Sequence, residues 1–189
     1  MKNPAHTDYP IMAELTERWS PRAYDPTHQI SSEELGSLFE AARWSPSSSN
    51  TQPWSFVVGK RGDENFTKIL GLLAPGNAVW ANRASALVVN IVEEVSAEGK
   101  TQSASHYDVG QAAAHLSIQA THMGLIVHQM GGFDKDGMHR ALGLDERHRP
   151  IVVMAIGVGG DMSDLPEDIQ AREVAPRQRK PLSDVVTGL

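Results

Sequence analysis

Cationic side chains near both ends of the sequence are the first feature that could do chemistry. Arg18 and Arg22 lie four residues apart near the start, and Arg177, Arg179 and Lys180 lie near the end. The chain as a whole is acidic, with 17 Lys and Arg against 23 Asp and Glu and a formal net charge of −6. Clustered cations on an acidic protein suit a small anion such as a phosphate. A solvated or salt-bridged surface would also explain either group taken alone.

A polar segment in the middle of the chain could recognise a ring. Residues 45–53, Ser-Pro-Ser-Ser-Ser-Asn-Thr-Gln-Pro, have no apolar side chain except the two prolines, which predicts a loop. Its hydroxyl and amide groups could hydrogen-bond to a planar polar heterocycle. Gly131 and Gly132 lack a Cβ and would let a backbone N–H approach such a ring closely. Taken alone, the glycine pair indicates only a turn.

The sequence gives only weak signals for a metal site, a side-chain nucleophile or a dinucleotide-binding fold. His115, His122 and His128 are spaced by seven and six residues, which is not typical of metal-ligand pairs. Ser47–Ser49 could supply a nucleophile, but nothing in the sequence couples these hydroxyls to a base. The glycines of 157–160 follow a strand but lack the third spaced glycine of a dinucleotide fold. We therefore predict no metal site and no catalytic side-chain nucleophile.

Helices that would position these groups are indicated by caps and by apolar periodicity. Ser31 and Glu34 form a capping-box pattern before a helix over 32–43. The alanine-rich segment 106–123 predicts the longest helix, closed by Gly124. Shorter helices are predicted over 11–15, 65–73 and 134–142.

Strands are predicted where β-branched and apolar residues cluster. The nearly continuous apolar run over 84–92 predicts a central strand that is buried on both faces. Gly76 and Asn77 predict a turn before it. Further strands are predicted over 54–60 and 150–158, and a short apolar stretch occupies 125–130. No repeat or linker interrupts the pattern, so we predict a single α+β domain over residues 1–189. The polar tail beyond Gly160 has too few apolar residues to fold by itself and must pack against this domain or a partner.

Length and composition narrow the class of protein. A chain of 189 residues can bury a core without staples, and the absence of Cys excludes disulfides and thiolate chemistry. The acidic balance disfavours nucleic-acid binding. No apolar stretch is long enough to cross a bilayer and the first ten residues lack a signal core, so we expect a soluble cytoplasmic protein.

Four short motifs follow one another along the chain. Arg18–Arg22 reads basic-x-Ser-x-basic, and Ala42–Trp54 reads Ala-x-x-Ser-Pro-Ser-Ser-x-Asn-x-Gln-Pro-Trp. Met123–Leu125 leads to a turn over Met130–Asp134 that ends Gly-Phe-Asp, and the basic tail over Arg177–Asp184 contains Pro-Leu before an acid. Together these motifs resemble the FMN-dependent nitroreductase family, and the second is the most specific.

The resemblance implies a central, mainly antiparallel sheet flanked by helices, in an intertwined homodimer. The C-terminal arm, about 161–189, would pack on the partner subunit. FMN would lie at the interface, with NADH or NADPH as the hydride donor, and no side chain is named as catalytic because the flavin carries the hydride. The residues implied to bind FMN are Arg18, Trp19, Ser20, Arg22, Arg177 and Arg179 from one subunit; Pro46, Ser47, Ser48 and Asn50 from the other; and Gln129, Met130, Gly131 and Gly132 beside the ring.

The resemblance also implies ping-pong reduction of a small flat acceptor, such as a nitroaromatic or a quinone. Two alternatives stay open, a flavin reductase that supplies reduced flavin and a non-catalytic flavin-binding protein. A plain acidic α+β domain without flavin is the fourth reading. Two positions depart from the family pattern: Asn82-Arg83 stands where longer members place an Asn and a Lys, and Gly131 stands where some have Glu.

Overall fold

A four-stranded antiparallel sheet forms the centre of the computed structural model, which describes residues 3–188. The strands are β1 Trp54–Lys60, β2 Ala86–Glu93, β3 Ile126–Met130 and β4 His148–Gly157. Their order in the sheet is β1-β2-β4-β3, and every pairing is antiparallel. The predicted α+β fold with a central antiparallel sheet is confirmed.

Strand β2 lies inside the sheet, as its apolar run predicts. It pairs with β1 through Val57↔Val89 and with β4 through Val89↔Val153. Residues 86–92 are all buried, and alternate side chains enter different cores: Leu87 packs in one hydrophobic cluster and Val88 in the other. Burial of both faces explains why this strand shows no alternation of polar and apolar residues.

Seven helices are present among the described residues. They are α1 Ala13–Glu17, α2 Ser32–Arg43, α3 Glu64–Leu70, α4 Pro75–Ala81, α5 Ser105–His122, α6 Lys135–Ala141 and α7 Glu167–Glu173. Short 3₁₀ turns occur at Ser48–Asn50, Met162–Asp164 and Leu182–Asp184.

Local signals account for the helix ends that matter for the site. Ser31 and Glu34 form the predicted reciprocal capping box of α2, and Asp134 caps α6 by accepting from the Gly137 N–H. Helix α5 ends before Gly124, whose φ of 76° suits a residue without Cβ. It packs against α2 and against the sheet, so it is a rigid support along one face of the domain.

The turn predicted at Gly76 and Asn77 is wrong, because both residues lie inside α4. Pro75 occupies the start of this helix, where its missing N–H costs nothing. Trp80 then becomes buried and donates from Nε1 to the Gly76 carbonyl at 3.0 Å. Burial of the indole outweighs the turn preference of the Gly-Asn pair.

Two shorter predictions shift at their ends. Helix α1 begins at Ala13 rather than at residue 11 and leaves Met12 exposed. Helix α3 ends at Leu70 rather than at residue 73, because the chain tightens there into i→i+3 bonds. Among residues 3–188, no helix is both long and apolar enough to cross a bilayer.

Candidate functional site

Arg177 fixes the segment that carries Arg18. Its guanidinium donates from Nη1 to the carbonyls of Asn3 at 2.8 Å and Thr16 at 2.9 Å, and from Nη2 to that of Arg18 at 2.9 Å. Three carbonyls from one N-terminal segment therefore meet one side chain of the C-terminal tail. The planar guanidinium presents its donors as a fixed fork, which suits this role.

Arg22 is held by a carboxylate from α7. The Glu173 Oε2 atom accepts from the Arg22 backbone N–H at 2.8 Å, and Oε1 accepts from its Nη1 at 2.9 Å. The Glu173 side chain is 1% exposed, whereas that of Arg22 is 24% exposed. Arg22 is thus an ion-paired cation that still reaches the surface.

His128 supports the same segment from β3. Its Nδ1 lies 3.1 Å from the Pro21 carbonyl, and its ring packs on Trp80 with 4.6 Å between centroids. Burial, with the charges of Arg22 and Arg18 acting in the same direction, lowers the pKa of His128 to about 4. The ring is therefore neutral near pH 7 and donates to Pro21 through Nδ1–H.

Arg18, Arg177 and Arg179 form a positive cluster. Partial burial lowers the pKa of Arg18, and the nearby charges of Arg177 and Arg179 lower it as well. Burial and Arg179 likewise lower the pKa of Arg177. Among residues 3–188, none of the three forms a salt bridge with a carboxylate. A bound anion would relieve this mutual repulsion.

A cavity of about 340 Å³ opens beside this cluster. Glu17, Arg18 and Trp19 line it on one side. The end of α5 and the start of β3 close it through Thr121, Gly124, Leu125 and Ile126. The predicted residues Arg18, Trp19, Arg177 and Arg179 therefore lie in one region, and Ser20, partly buried, lies between Trp19 and the fixed Pro21.

The loop over 46–50 lies against the other part of α5. The Ser48 N–H donates to Asp108 Oδ2 at 3.0 Å, and Ser45 Oγ lies 2.7 Å from His115 Nδ1. The Pro46 carbonyl accepts a long contact from Gln111 at 3.5 Å. Ser47 stays within the loop, where its Oγ accepts from the Gln52 N–H at 3.0 Å.

Backbone strain is concentrated in this loop. Ser49, Asn50 and Gln52 have φ values of 51°, 57° and 50°, and none of them is glycine. Such conformations cost about 1–3 kcal/mol each and persist where the surroundings enforce them. The contacts to Asp108 and His115 supply that enforcement, and strain of this kind is common in ligand-binding loops.

The loop and the arginine cluster are far apart in one chain. Thirteen residues separate Asp108, which holds the loop, from Thr121, which lines the arginine cavity. At 1.5 Å per residue this part of α5 spans about 20 Å. The structure therefore brings the predicted arginines together but does not bring Pro46, Ser47, Ser48 and Asn50 to them.

Four predicted residues at the end of β3 have different environments. Gln129 donates from Nε2 to Ser117 Oγ at 3.0 Å. The Met130 side chain is 3% exposed and packs in the core, so only its backbone is free to meet a ligand. Gly131 and Gly132 are exposed, and a Cβ on Gly131 would meet no atom within 4 Å. Open space therefore lies beside this turn.

Asn77 is a further residue beside the site, which no sequence motif indicates. Its Nδ2 donates to the Gly132 carbonyl at 3.0 Å, which holds the glycine turn against α4. Arg83, named with Asn82 in the sequence analysis, instead pairs with Asp164 and contacts the Tyr24 carbonyl. A helix start at Pro75 was the signal that could have placed Asn77 on a helix beside the site.

Comparisons with known proteins identify the family of the chain. The model of the nitroreductase family matches residues 15–89 and 73–159. A Mycolicibacterium smegmatis protein described as an uncharacterized 15.4 kDa protein in the ask 5′ region is 39% identical over 138 residues, covering 69% of this chain and 92% of its own. The oxygen-insensitive NAD(P)H nitroreductase of Salmonella typhimurium is 25% identical over 222 residues, covering 94% of this chain and 98% of its own.

A solved structure is similar over nearly the whole length. The crystal structure of an oxidoreductase containing FMN superposes with a TM-score of 0.92 at 37% identity and covers 97% of this chain and 93% of that one. The resemblance inferred from the four motifs is confirmed, and so is the prediction of an oxidoreductase. The chain belongs to the nitroreductase family.

Proposed function

We propose that the protein is an FMN-dependent oxidoreductase that takes a hydride from NADH or NADPH and reduces a small, flat, electron-poor acceptor. The observation that carries the proposal is the cluster of Arg18, Arg177 and Arg179, in which burial first, and then the charges of Arg177 and Arg179, lower the pKa of Arg18. Support also comes from the similar structure at 37% identity, which is described as containing FMN.

The donor set fits the two ends of FMN. A phosphate carrying nearly two negative charges suits Arg18, which faces the cavity, and Arg179, neither of which forms a salt bridge among residues 3–188. Arg177 adds positive charge nearby, while its own N–H groups hold the N-terminal segment. The ring suits the turn at Gly131 and Gly132, where both residues are exposed and a Cβ on Gly131 would meet no atom within 4 Å. We place Arg22 nearer to the ring end, because its neighbour Pro21 contacts His128 of β3, the strand that leads to the turn at Gly131 and Gly132.

A second copy of the chain would complete the site. The loop over 46–50 lies about 20 Å along α5 from the arginine cavity. In a two-fold dimer with α5 helices antiparallel, the loop of one subunit would meet the arginines of the other. Helix α5 offers a suitable face, since Tyr107 is 72% exposed and Gly110 and Ala114 beside it are small and exposed.

The C-terminal arm supplies a second contact in this proposal. Leu182, Val185 and Val186 are exposed on it. Strand β1 is an edge strand, and a largely apolar cavity of about 330 Å³ beside it is lined by Phe39, Arg43, Trp54, Phe56 and Val58. The exposed side chains of the arm and the cavity beside β1 are both apolar. We therefore place the arm of one subunit on β1 of the other.

The reaction divides between cofactor and protein. Bound FMN would supply the redox chemistry, accepting a hydride and passing electrons to the second substrate. Arg18 and Arg179 would hold the phosphate, and the exposed turn at Gly131 and Gly132 would lie beside the ring. Helix α5 would support both parts of the site as a rigid element. Use of one site by the donor and the acceptor in turn would correspond to ping-pong kinetics.

Absorbance spectroscopy of the purified protein, before and after anaerobic addition of NADH and of NADPH, tests this function. We expect flavin bands that either donor bleaches and that a nitroaromatic or a quinone restores. Restoration by free flavin alone would indicate a flavin reductase. Bands that persist with both donors would indicate a non-catalytic flavin carrier, and a colourless protein that takes up no FMN would refute the proposal.

A further inference from the structure

The carboxylate of Glu173 is the buried charged group that the proposed function leaves unused. It lies at the last residue of α7 with 1% of its side chain exposed, and both of its oxygens are bonded to Arg22. One oxygen takes the backbone N–H and the other takes the guanidinium, so a single side chain fixes both the position of Arg22 and its direction.

Stability alone does not account for this arrangement. A buried ion pair repays the desolvation of its charges only in part, and well-packed apolar residues often hold a fold equally well. The neighbouring segment already has two further anchors, from Arg177 to the Arg18 carbonyl and from His128 to the Pro21 carbonyl. Unlike those anchors, Glu173 also places a negative charge beside Arg22.

That charge makes Arg22 different from the other site arginines. Arg18, Arg177 and Arg179 repel one another and form no salt bridge among residues 3–188. Arg22 is neutralised on one side by Glu173 while a quarter of its side chain stays exposed. The site therefore has an end of full positive charge and an end where the positive charge is reduced.

We propose that Glu173 is a positioning residue that aims Arg22 at the polar edge of the flavin ring and reduces its charge, and thereby limits how strongly the protein favours reduced over oxidised flavin. The inference rests on the proposed function, since it requires FMN in this site. Reduced flavin is anionic at that edge and would be held more tightly by an unpaired arginine.

Glu173→Gln tests this role, because the amide keeps the shape and one acceptor but removes the charge. We expect the ratio of FMN dissociation constants, oxidised over reduced, to rise about tenfold, which for a two-electron couple is a midpoint potential about 30 mV more positive. Glu167→Gln is the matched control on the same helix, where Glu167 is exposed and away from Arg22; its potential should equal that of wild type.

A double variant separates charge from loosened structure. Arg22→Gln with Glu173→Gln removes both charges, so we expect its potential to return to within about 10 mV of wild type, a factor of roughly two in the ratio. Equal displacement of the single and double variants would mean that the pair is only structural. Should the single variant prove unfolded by circular dichroism, Arg22→Gln is compared with the double variant. A potential more negative in Arg22→Gln supports the role, because only that variant keeps the Glu173 charge, and equal potentials overturn it.

Failure of the two proposals can be told apart. Wild-type protein that neither contains nor takes up FMN refutes the proposed function before Glu173 is tested. Wild-type protein that binds FMN, together with a Glu173→Gln variant whose potential is unchanged or more negative, overturns the role of Glu173 and leaves the proposed function intact.

Discussion

His128 should make the stability of the protein depend on pH in the mildly acidic range. Burial is the main cause that lowers its pKa from 6.5 to about 4, with the charges of Arg22 and Arg18 adding to it. In the unfolded chain the imidazole takes up a proton near pH 6.5, whereas in the folded chain it does so only near pH 4. The unfolded state therefore binds more protons between these values, and folded-state stability must fall as the pH falls.

The magnitude follows from the size of the pKa change. The pKa of His128 differs by about 2.5 units between the unfolded and folded states, and each unit corresponds to about 1.36 kcal/mol. The largest possible change in the free energy of unfolding is therefore about 3 kcal/mol. Between pH 7 and pH 4.5, where the folded state has begun to protonate, we expect a loss of about 2 kcal/mol from this one residue. That is a large share of the 5–15 kcal/mol typical of a folded domain.

Urea denaturation at pH 7 and pH 4.5, at one protein concentration, measures the loss. His128→Gln keeps a donor for the Pro21 carbonyl but cannot titrate, so the loss between the two pH values should shrink by about 2 kcal/mol even if the variant is less stable at both. His6→Gln, at an exposed histidine, should behave as wild type. Equal pH dependence in wild type and His128→Gln would refute the assignment of a buried, neutral imidazole.

Two further predictions concern the parts that hold the site. Deleting the chain from Pro176 removes Arg177 and Arg179 and should give a flavin-free monomer in size-exclusion chromatography. Deleting it from Leu182 should weaken the dimer but keep these arginines. A flavin-bound dimer after the longer deletion would contradict the proposed arm exchange. Gly160→Ala would place a Cβ 2.4 Å from the Tyr24 carbonyl group and should lower both the melting temperature and FMN retention. Gly159→Ala, whose Cβ meets nothing within 4 Å, should leave both unchanged.

Local patterns predicted most elements of the fold. The capping box at Ser31 and Glu34 and the apolar run of β2 specify their own structure within a few residues, so neighbouring residues in the sequence suffice to identify them. Helix α4 was missed because its stability comes from burial of Trp80 against Tyr24 and His128, which are distant in sequence. Tertiary packing overrides a turn preference there.

The candidate site was predicted in its composition but not in its internal contacts. The motif residues at Arg18, Arg22 and Arg177 were predicted from the clustering of cations and from their match to a family pattern. Their different roles were not, since the pairing of Arg22 with Glu173 joins residues 151 positions apart and no local rule links them. The contact of Asn77 could not be predicted for the same reason, because its partner Gly132 is 55 residues away.

The length of α5 has a consequence for dimers that combine two differently mutated chains. In the proposed dimer each chain contributes half of two sites, the loop to one and the arginines to the other. When one chain has a defective loop and its partner has defective arginines, both defects fall in the same site. The other site is then built from two intact halves, so two inactive chains together form a working enzyme with one site of two.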